Sequence, residues 1–165
     1  MLILGIDPGT AVTGFGVVRA DPRPTLVECG VIRTAPTQPL AERLRDIAEG
    51  VRELLTRHRP DAMAVEAIFY ARNVRTTIVL GHARGVILLA GAEAGLPIHE
   101  YPPADIKKAI TGTGAATKTQ VQYMVSQLLR LKSPPQPADA ADGVAAALTC
   151  ALRQPLARAL AGSRR

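Results

Sequence analysis

The spacing of apolar positions changes several times along the chain, and each change marks an element. Leu2 to Ile6 is an unbroken apolar run closed by Asp7-Pro8-Gly9, which predicts a buried strand ending in a turn. Gly14 to Val18 and Val27 to Ile32 predict two further strands, with a turn over Asp21 to Pro24 between them. Three strands joined by short turns predict an antiparallel meander. From Leu40 the period becomes helical, through Leu44, Ile47, Val51, Leu54 and Leu55, until Arg59-Pro60 stops it. Ala62 to Glu66 predicts a strand, Val74 to Ala94 a long helix containing Gly81, Gly85 and Gly91, and Leu96 to Tyr101 a short strand. A short helix carrying Lys107 follows Pro102-Pro103, and a loop holds Gly112 and Gly114. The next helix spans Thr117 to Leu131, with Thr117 and Gln120 at the spacing of a capping box. After a proline-rich loop, Ser133 to Pro137, an Ala-rich helix starts near Ala138 and runs to about Ala151 or beyond. The order β-β-β-α-β-α-β-α-α-α predicts an α/β fold: one mixed sheet with helices on its faces.

The chain has 165 residues, 47% hydrophobic and 21% charged, which fits one globular domain and excludes a disordered or fibrous chain. We expect a single domain over residues 1–155 and a basic, disordered tail over 156–165. The longest uncharged runs have 11 residues, such as Pro8 to Val18, too short to cross a bilayer as a helix. Met1 leads straight into apolar residues without a basic segment, and Cys29 and Cys150 form no CxxC pair. These features predict a reduced, cytoplasmic protein.

Charge changes the picture more. The net charge is +6, unevenly spread. Residues 1–106 hold 11 Arg, no Lys and 12 acids, a net of −1. Residues 107–165 hold 9 basic residues against Asp139 and Asp142, a net of +7. All four lysines, Lys107, Lys108, Lys118 and Lys132, fall in a window without acids. A one-sided basic region fits a polyanionic partner as well as a solvated surface.

Four acids stand out by position. Asp7 ends the first strand and Glu66 the fourth, so neighbouring strands would bring both to one sheet edge, where α/β folds collect ligand sites. Asp139 and Asp142 share a face of the last helix at i and i+3. Taken singly, Asp7 fits a turn residue, Glu66 a surface charge, and Asp139 with Asp142 a helix cap. Together they are harder to dismiss. Carboxylates ~6 Å apart repel by roughly 2–3 kcal/mol per pair at an effective dielectric of ~20, so such a cluster calls for cations. All-oxygen donors suit Mg²⁺ or Mn²⁺, and two such ions can activate water and offset charge on the leaving oxygen of a phosphodiester. No His or Cys clusters with these acids, which argues against zinc.

Five motifs in order carry a family resemblance: Gly5-Ile6-Asp7-Pro8-Gly9-Thr10, Glu66-Ala67-Ile68-Phe69 with Arg72-Asn73, Leu80-Gly81-His82-Ala83-Arg84-Gly85-Val86, Lys118-Thr119-Gln120-Val121-Gln122, and Ala138-Asp139-Ala140-Ala141-Asp142. Over about residues 1–153 the chain resembles the RuvC family of Holliday-junction resolvases. That resemblance implies an RNase H-like fold with a mixed five-stranded sheet, and Asp7, Glu66, Asp139 and Asp142 as catalytic ligands of two Mg²⁺ ions, with Mn²⁺ able to substitute. It implies paired nicking of four-way DNA junctions by in-line attack of water, a homodimer, and cooperation with the RuvA–RuvB branch-migration complex. Gly143 stands where relatives often carry a better helix former, a change that should not disturb the ligands.

Phe69 and Tyr70 are two of five aromatics and lie just beyond Glu66. They fit either a core under a loop or a platform for an unstacked base, worth about 1–3 kcal/mol. By resemblance Phe69 takes the second role. Lys118 opens a helix, where its charge opposes the dipole unless an anion is expected. By resemblance Lys107 and Lys118 contact phosphates near the site, and Tyr70, Arg72, Arg75, Arg84 and Lys108 are further candidate DNA contacts. The apolar surplus of the Val74 to Ala94 helix predicts the dimer seam.

Three other readings compete with this one. The Gly5 to Thr10 motif also looks like the first phosphate loop of actin-like and sugar-kinase ATPases, but their second domain has no room in this length. Against a related nuclease acting on ribosomal RNA precursors, the Phe69 region and the Lys118 motif favour the resolvase. A non-catalytic junction-binding protein would not need all four acids.

Overall fold

The computed structural model describes residues 1–68 and 74–162. Five strands, β1 (Leu2–Asp7), β2 (Val12–Arg19), β3 (Thr25–Arg33), β4 (Ala62–Glu66) and β5 (Ile98–Tyr101), form one sheet in the order β3-β2-β1-β4-β5. The meander β1-β2-β3 is antiparallel, whereas β1-β4 and β4-β5 pair in parallel. This is the mixed five-stranded sheet of an RNase H-like fold. The helices are α1 (Leu40–His58), α2 (Val74–Glu93), α3 (Pro103–Thr111), α4 (Lys118–Leu129) and α5 (Ala138–Gly162).

Alternation along the central strands assigns the two faces. Leu4, Ile6, Val17, Met63 and Val65 pack with Ile47, Val51 and Ile87 on the side of α1 and α2. Ile3, Val18 and Ala64 pack with Val144, Ala147 and Leu148 of α5, together with Ile106 of α3 and Val125 of α4. Side chains two residues apart share a face. Asp7 therefore follows Ile3 and Gly5 onto the α5 side, and Glu66 follows Ala64 onto the same side.

Element ends follow local chemistry. Arg59 terminates α1 in the left-handed region at φ 46, and its amide donates to Leu55 O. α4 opens on the capping box that the sequence predicts: the Thr117 side chain accepts from the Gln120 amide, and the Gln120 side chain accepts from the Thr117 amide. Strand β5 is shorter than predicted, beginning at Ile98. Pro97 has no amide to donate, and its carbonyl accepts from Met63 N before the ladder begins.

Helix α5 is described to Gly162, past residue 155 where the sequence reading ends the domain. Leu156, Ala157, Arg158, Ala159, Leu160 and Ala161 are strong helix formers, which carries the helix past Pro155.

Candidate active site

The four predicted acids converge. Register pairs Ile6 with Val65, so Asp7 and Glu66 emerge together at the C-terminal ends of two parallel neighbours. Helix α5 begins at Ala138, which puts Asp139 in its first turn and Asp142 one turn later on the same face. One carboxylate oxygen from each of Asp7, Asp139 and Asp142 lies within 4.8 Å of the others.

Close packing of α5 on the sheet makes this possible. A side chain at Gly14, opposite Asp7 on β2, would collide with the Asp139 carbonyl. At Gly143 a Cβ would lie 2.6 Å from Phe15 Cα. Gly143 is thus a contact point between helix and strand, one residue after Asp142, and more than the mild helix weakener that the sequence suggests. The capping reading of Asp139 does not hold either: it lies inside the helix and its carboxylate joins the cluster.

A cavity of about 240 Å³ opens beside the acids, lined by Asp7, Glu66 and Asp142 together with Lys107, Lys118 and the apolar Pro103, Ile106 and Val121. Lys118 Nζ donates to Asp142 Oδ2 at 2.6 Å. Burial raises Asp7 to about 8, and the charges of Glu66, Asp142 and Asp139 add to it while Lys118 opposes them. Burial likewise raises Glu66 to about 7, with Asp142 adding and Lys118 and Lys107 opposing. Asp142 is raised by burial in spite of its bond to Lys118, and that bond raises Lys118 in turn. Half-buried, mutually repelling carboxylates with oxygen donors only are the donor set of a hard divalent cation. The residues present therefore fit the Mg²⁺ or Mn²⁺ that the family resemblance implies.

The other predicted residues divide. Lys107 is half-buried in the cavity wall, whereas Lys108 is exposed and stands outside that lining. Arg75 is exposed at the start of α2 and lines a separate cavity with Thr10 and Thr76. Arg84 is paired with Glu100 on β5, which engages a charge the sequence offered to phosphate. Phe69, Tyr70 and Arg72 lie outside the described residues. The glycines that seat α5 and the apolar wall of Pro103, Ile106 and Val121 went unnoticed in the sequence. The signal for the glycines was present, since Gly5, Gly14 and Gly16 recur on one face of β1 and β2.

An acidic cluster at paired strand ends, with lysines in the same cavity and an RNase H-like sheet beneath, defines the class of a phosphodiester-cleaving nuclease. The chain matches the family model described as "Crossover junction endodeoxyribonuclease RuvC" over residues 3–150. It is 53% identical over 166 residues to the protein of that name from Halorhodospira halophila, covering 99% of this chain and 98% of the relative. It is 52% identical over 149 residues to that of Pelotomaculum thermopropionicum, covering 90% and 91%. Among solved structures it resembles Thermus thermophilus RuvC in complex with a Holliday junction substrate, with a TM-score of 0.86, 38% identity and coverage of 94% and 96%. The chain belongs to the RuvC family of crossover junction endodeoxyribonucleases.

Proposed function

We propose that this protein resolves four-way DNA junctions by paired nicks, with hydrolysis assisted by two Mg²⁺ ions held among Asp7, Glu66, Asp139 and Asp142. The observation that carries this reading is the shared cavity, in which buried carboxylates and two lysines face one space. Bound divalent cations supply Lewis acidity there, generating a nucleophile from water and offsetting charge on the leaving oxygen. The chain's own residues do the rest. Asp7 and Glu66, fixed at strand ends, orient the donor oxygens, and α5 brings Asp139 and Asp142 against them. Lys107 and Lys118 hold the phosphate against its natural repulsion from four acids. The apolar wall of Ile106 and Val121 excludes water and strengthens both attractions.

Phe69 stacks on a base opened at the crossover, and Tyr70, Arg72, Arg75 and Lys108 add backbone contacts. A homodimer joined through α2 places one site on each of two opposed strands. The RuvA–RuvB complex presents the junction in the cytoplasm. The deciding experiment is Mg²⁺-dependent cleavage of a synthetic four-way junction, with a linear duplex and a structured RNA as competitors. Symmetric nicks in the junction alone support the reading; equal cleavage of the RNA, or none of the junction, ends it. Phe69→Ala should impair fully paired junctions more than pre-melted ones. Equal loss on both would remove the stacking role.

A further inference from the structure

Three adjoining cavities share residues along the sheet edge at which the acids emerge. The first holds Lys107 and Lys118. The second, about 210 Å³, shares Asp7, Glu66 and Pro103 with the first, and its remaining lining is Pro8, Ala67, Ile68 and Leu80. Apart from the two shared carboxylates this lining is apolar, and no cation stands in it among the described residues. Leu80 is shared again with the third cavity, about 280 Å³, which holds Arg75, Thr10 and Thr76. Among the described residues the row therefore reads cationic, apolar, cationic. A nucleic-acid strand has the same alternation, since a neutral sugar and base separate each phosphate from the next.

We propose that the middle cavity is a nucleoside subsite. It takes the sugar and base of one nucleotide flanking the scissile phosphate, while that phosphate sits beside Lys107 and Lys118 and the next one faces Arg75. This rests on the nuclease reading above and adds where the strand runs and what sets flanking preference.

The walls suit the task. Pro8 is buried and Pro103 is ring-locked, so neither moves freely. The Ala67 amide donates to Tyr101 O at 2.9 Å, which ties that wall to β5. A rigid apolar cavity of fixed size discriminates by shape, with one misplaced methylene worth about tenfold or more. Filling it with a nucleoside also displaces water from the exposed edge of Asp7 and Glu66.

The test combines substrate and protein changes. Four-way junctions are made with a reduced abasic residue at either nucleotide flanking the cut, and cleavage rate and junction affinity are measured separately. Wild type should lose about tenfold in rate with the abasic residue on one side and little on the other. Ala67→Leu should lose about tenfold on the intact junction at unchanged affinity, and no more when the abasic residue occupies the sensitive side. That non-additivity marks two changes acting on one contact. Leu80→Ala, which widens the cavity, should weaken the flanking-nucleotide preference and serves if Ala67→Leu does not fold. Independent, multiplying losses, or indifference of wild type to both abasic positions, would overturn the subsite. Failure of wild type to cut any junction would overturn the nuclease reading instead.

Discussion

Lys118 Nζ lies 2.6 Å from Asp142 Oδ2, so a cation from α4 sits against the acid cluster on its α5 side. Its field lowers the proton affinity of Asp7, Glu66 and Asp142 alike. Lys118→Met should therefore do two things. Cleavage should fall on fully paired and pre-melted junctions equally, because a phosphate contact does not depend on unstacking. The pH above which Mg²⁺ raises the melting temperature should also move upward, because the acids then hold their protons longer. An unchanged pH threshold in calorimetry would assign Lys118 to DNA alone. On the other lysine of the cavity, Lys107→Ala should flatten the salt dependence of junction binding by a slope of about 1.

Swapping the acids for their amides separates binding from chemistry. On the proposed assignment, Asp7→Asn or Glu66→Gln removes a metal ligand and also a negative charge facing DNA. Junction affinity by gel shift should hold or rise, while cleavage falls by more than about a hundredfold. Near wild-type cutting by Asp7→Asn in Mg²⁺ would show that the site is misassigned.

The same burial predicts a pH dependence of stability. Asp7 and Glu66 are raised to about 8 and about 7 by burial first and neighbouring acids second. In the unfolded chain both ionise near about 4. Between those values the native state binds more protons than the unfolded one, so stability falls as pH rises. The contribution is whole below about pH 4 and gone above about pH 8. In EDTA the melting temperature should drop between pH 5 and pH 9, and Asp7→Asn should flatten much of that slope. Mg²⁺ competes with these protons and should stabilise more at pH 9 than at pH 6. A metal-free protein that grows more stable over this range, with Asp7→Asn following it, would contradict the assignment.

Gly143 sets two effects against each other. Alanine raises helix propensity by about 1 kcal/mol. Its methyl would stand 2.6 Å from Phe15 Cα, a backbone atom that cannot turn aside. Overpacking of that kind costs about 1–3 kcal/mol, so the contact should win. Gly143→Ala should lower the melting temperature by a few degrees and reduce cleavage further than the stability loss explains, because Asp142 moves with the helix. A more stable, fully active variant would show that α5 has slack.

The sheet was readable because short apolar runs, turn residues and the Arg59-Pro60 stop agree with one another, and Asp7 and Glu66 came with it because each ends an apolar strand. The pair on α5 shows in the residues as a spacing equally suited to a cap, and only the family motif set it apart; the fold adds that an Asp139 carboxylate oxygen lies within 4.8 Å of those of Asp7 and Asp142. The pairing of Arg84 was not legible because a charge on a helix carries no sign of its partner, and Glu100 lies 16 residues away on another element. The middle cavity left no mark at all. It is made by Pro8, Ala67, Leu80 and Pro103, which come from four separate segments and are individually unremarkable.

Among the described residues helix α2 leaves an apolar face uncovered, which the proposed dimer would cover. Ala83, Ile87, Ala90 and Gly91 are buried, whereas Val74, Ile78 and Leu89 are 72%, 56% and 52% exposed. Among the described residues a side chain at Gly81 or Gly85 would meet nothing within 4 Å, so a second helix could approach closely there. A four-way junction has two-fold symmetry, and a two-fold dimer sets one acid cluster on each of two opposed strands. Two symmetric cuts leave ligatable duplexes; a single cut leaves a nicked junction. Gly85→Glu has room in the monomer, so it should fold normally yet sediment as a monomer and fail to resolve junctions. Mixed dimers carrying Asp7→Asn in one subunit should accumulate singly nicked product on a supercoiled cruciform. If those mixed dimers linearise the plasmid as efficiently as wild type, one subunit serves both strands and the dimer has another purpose.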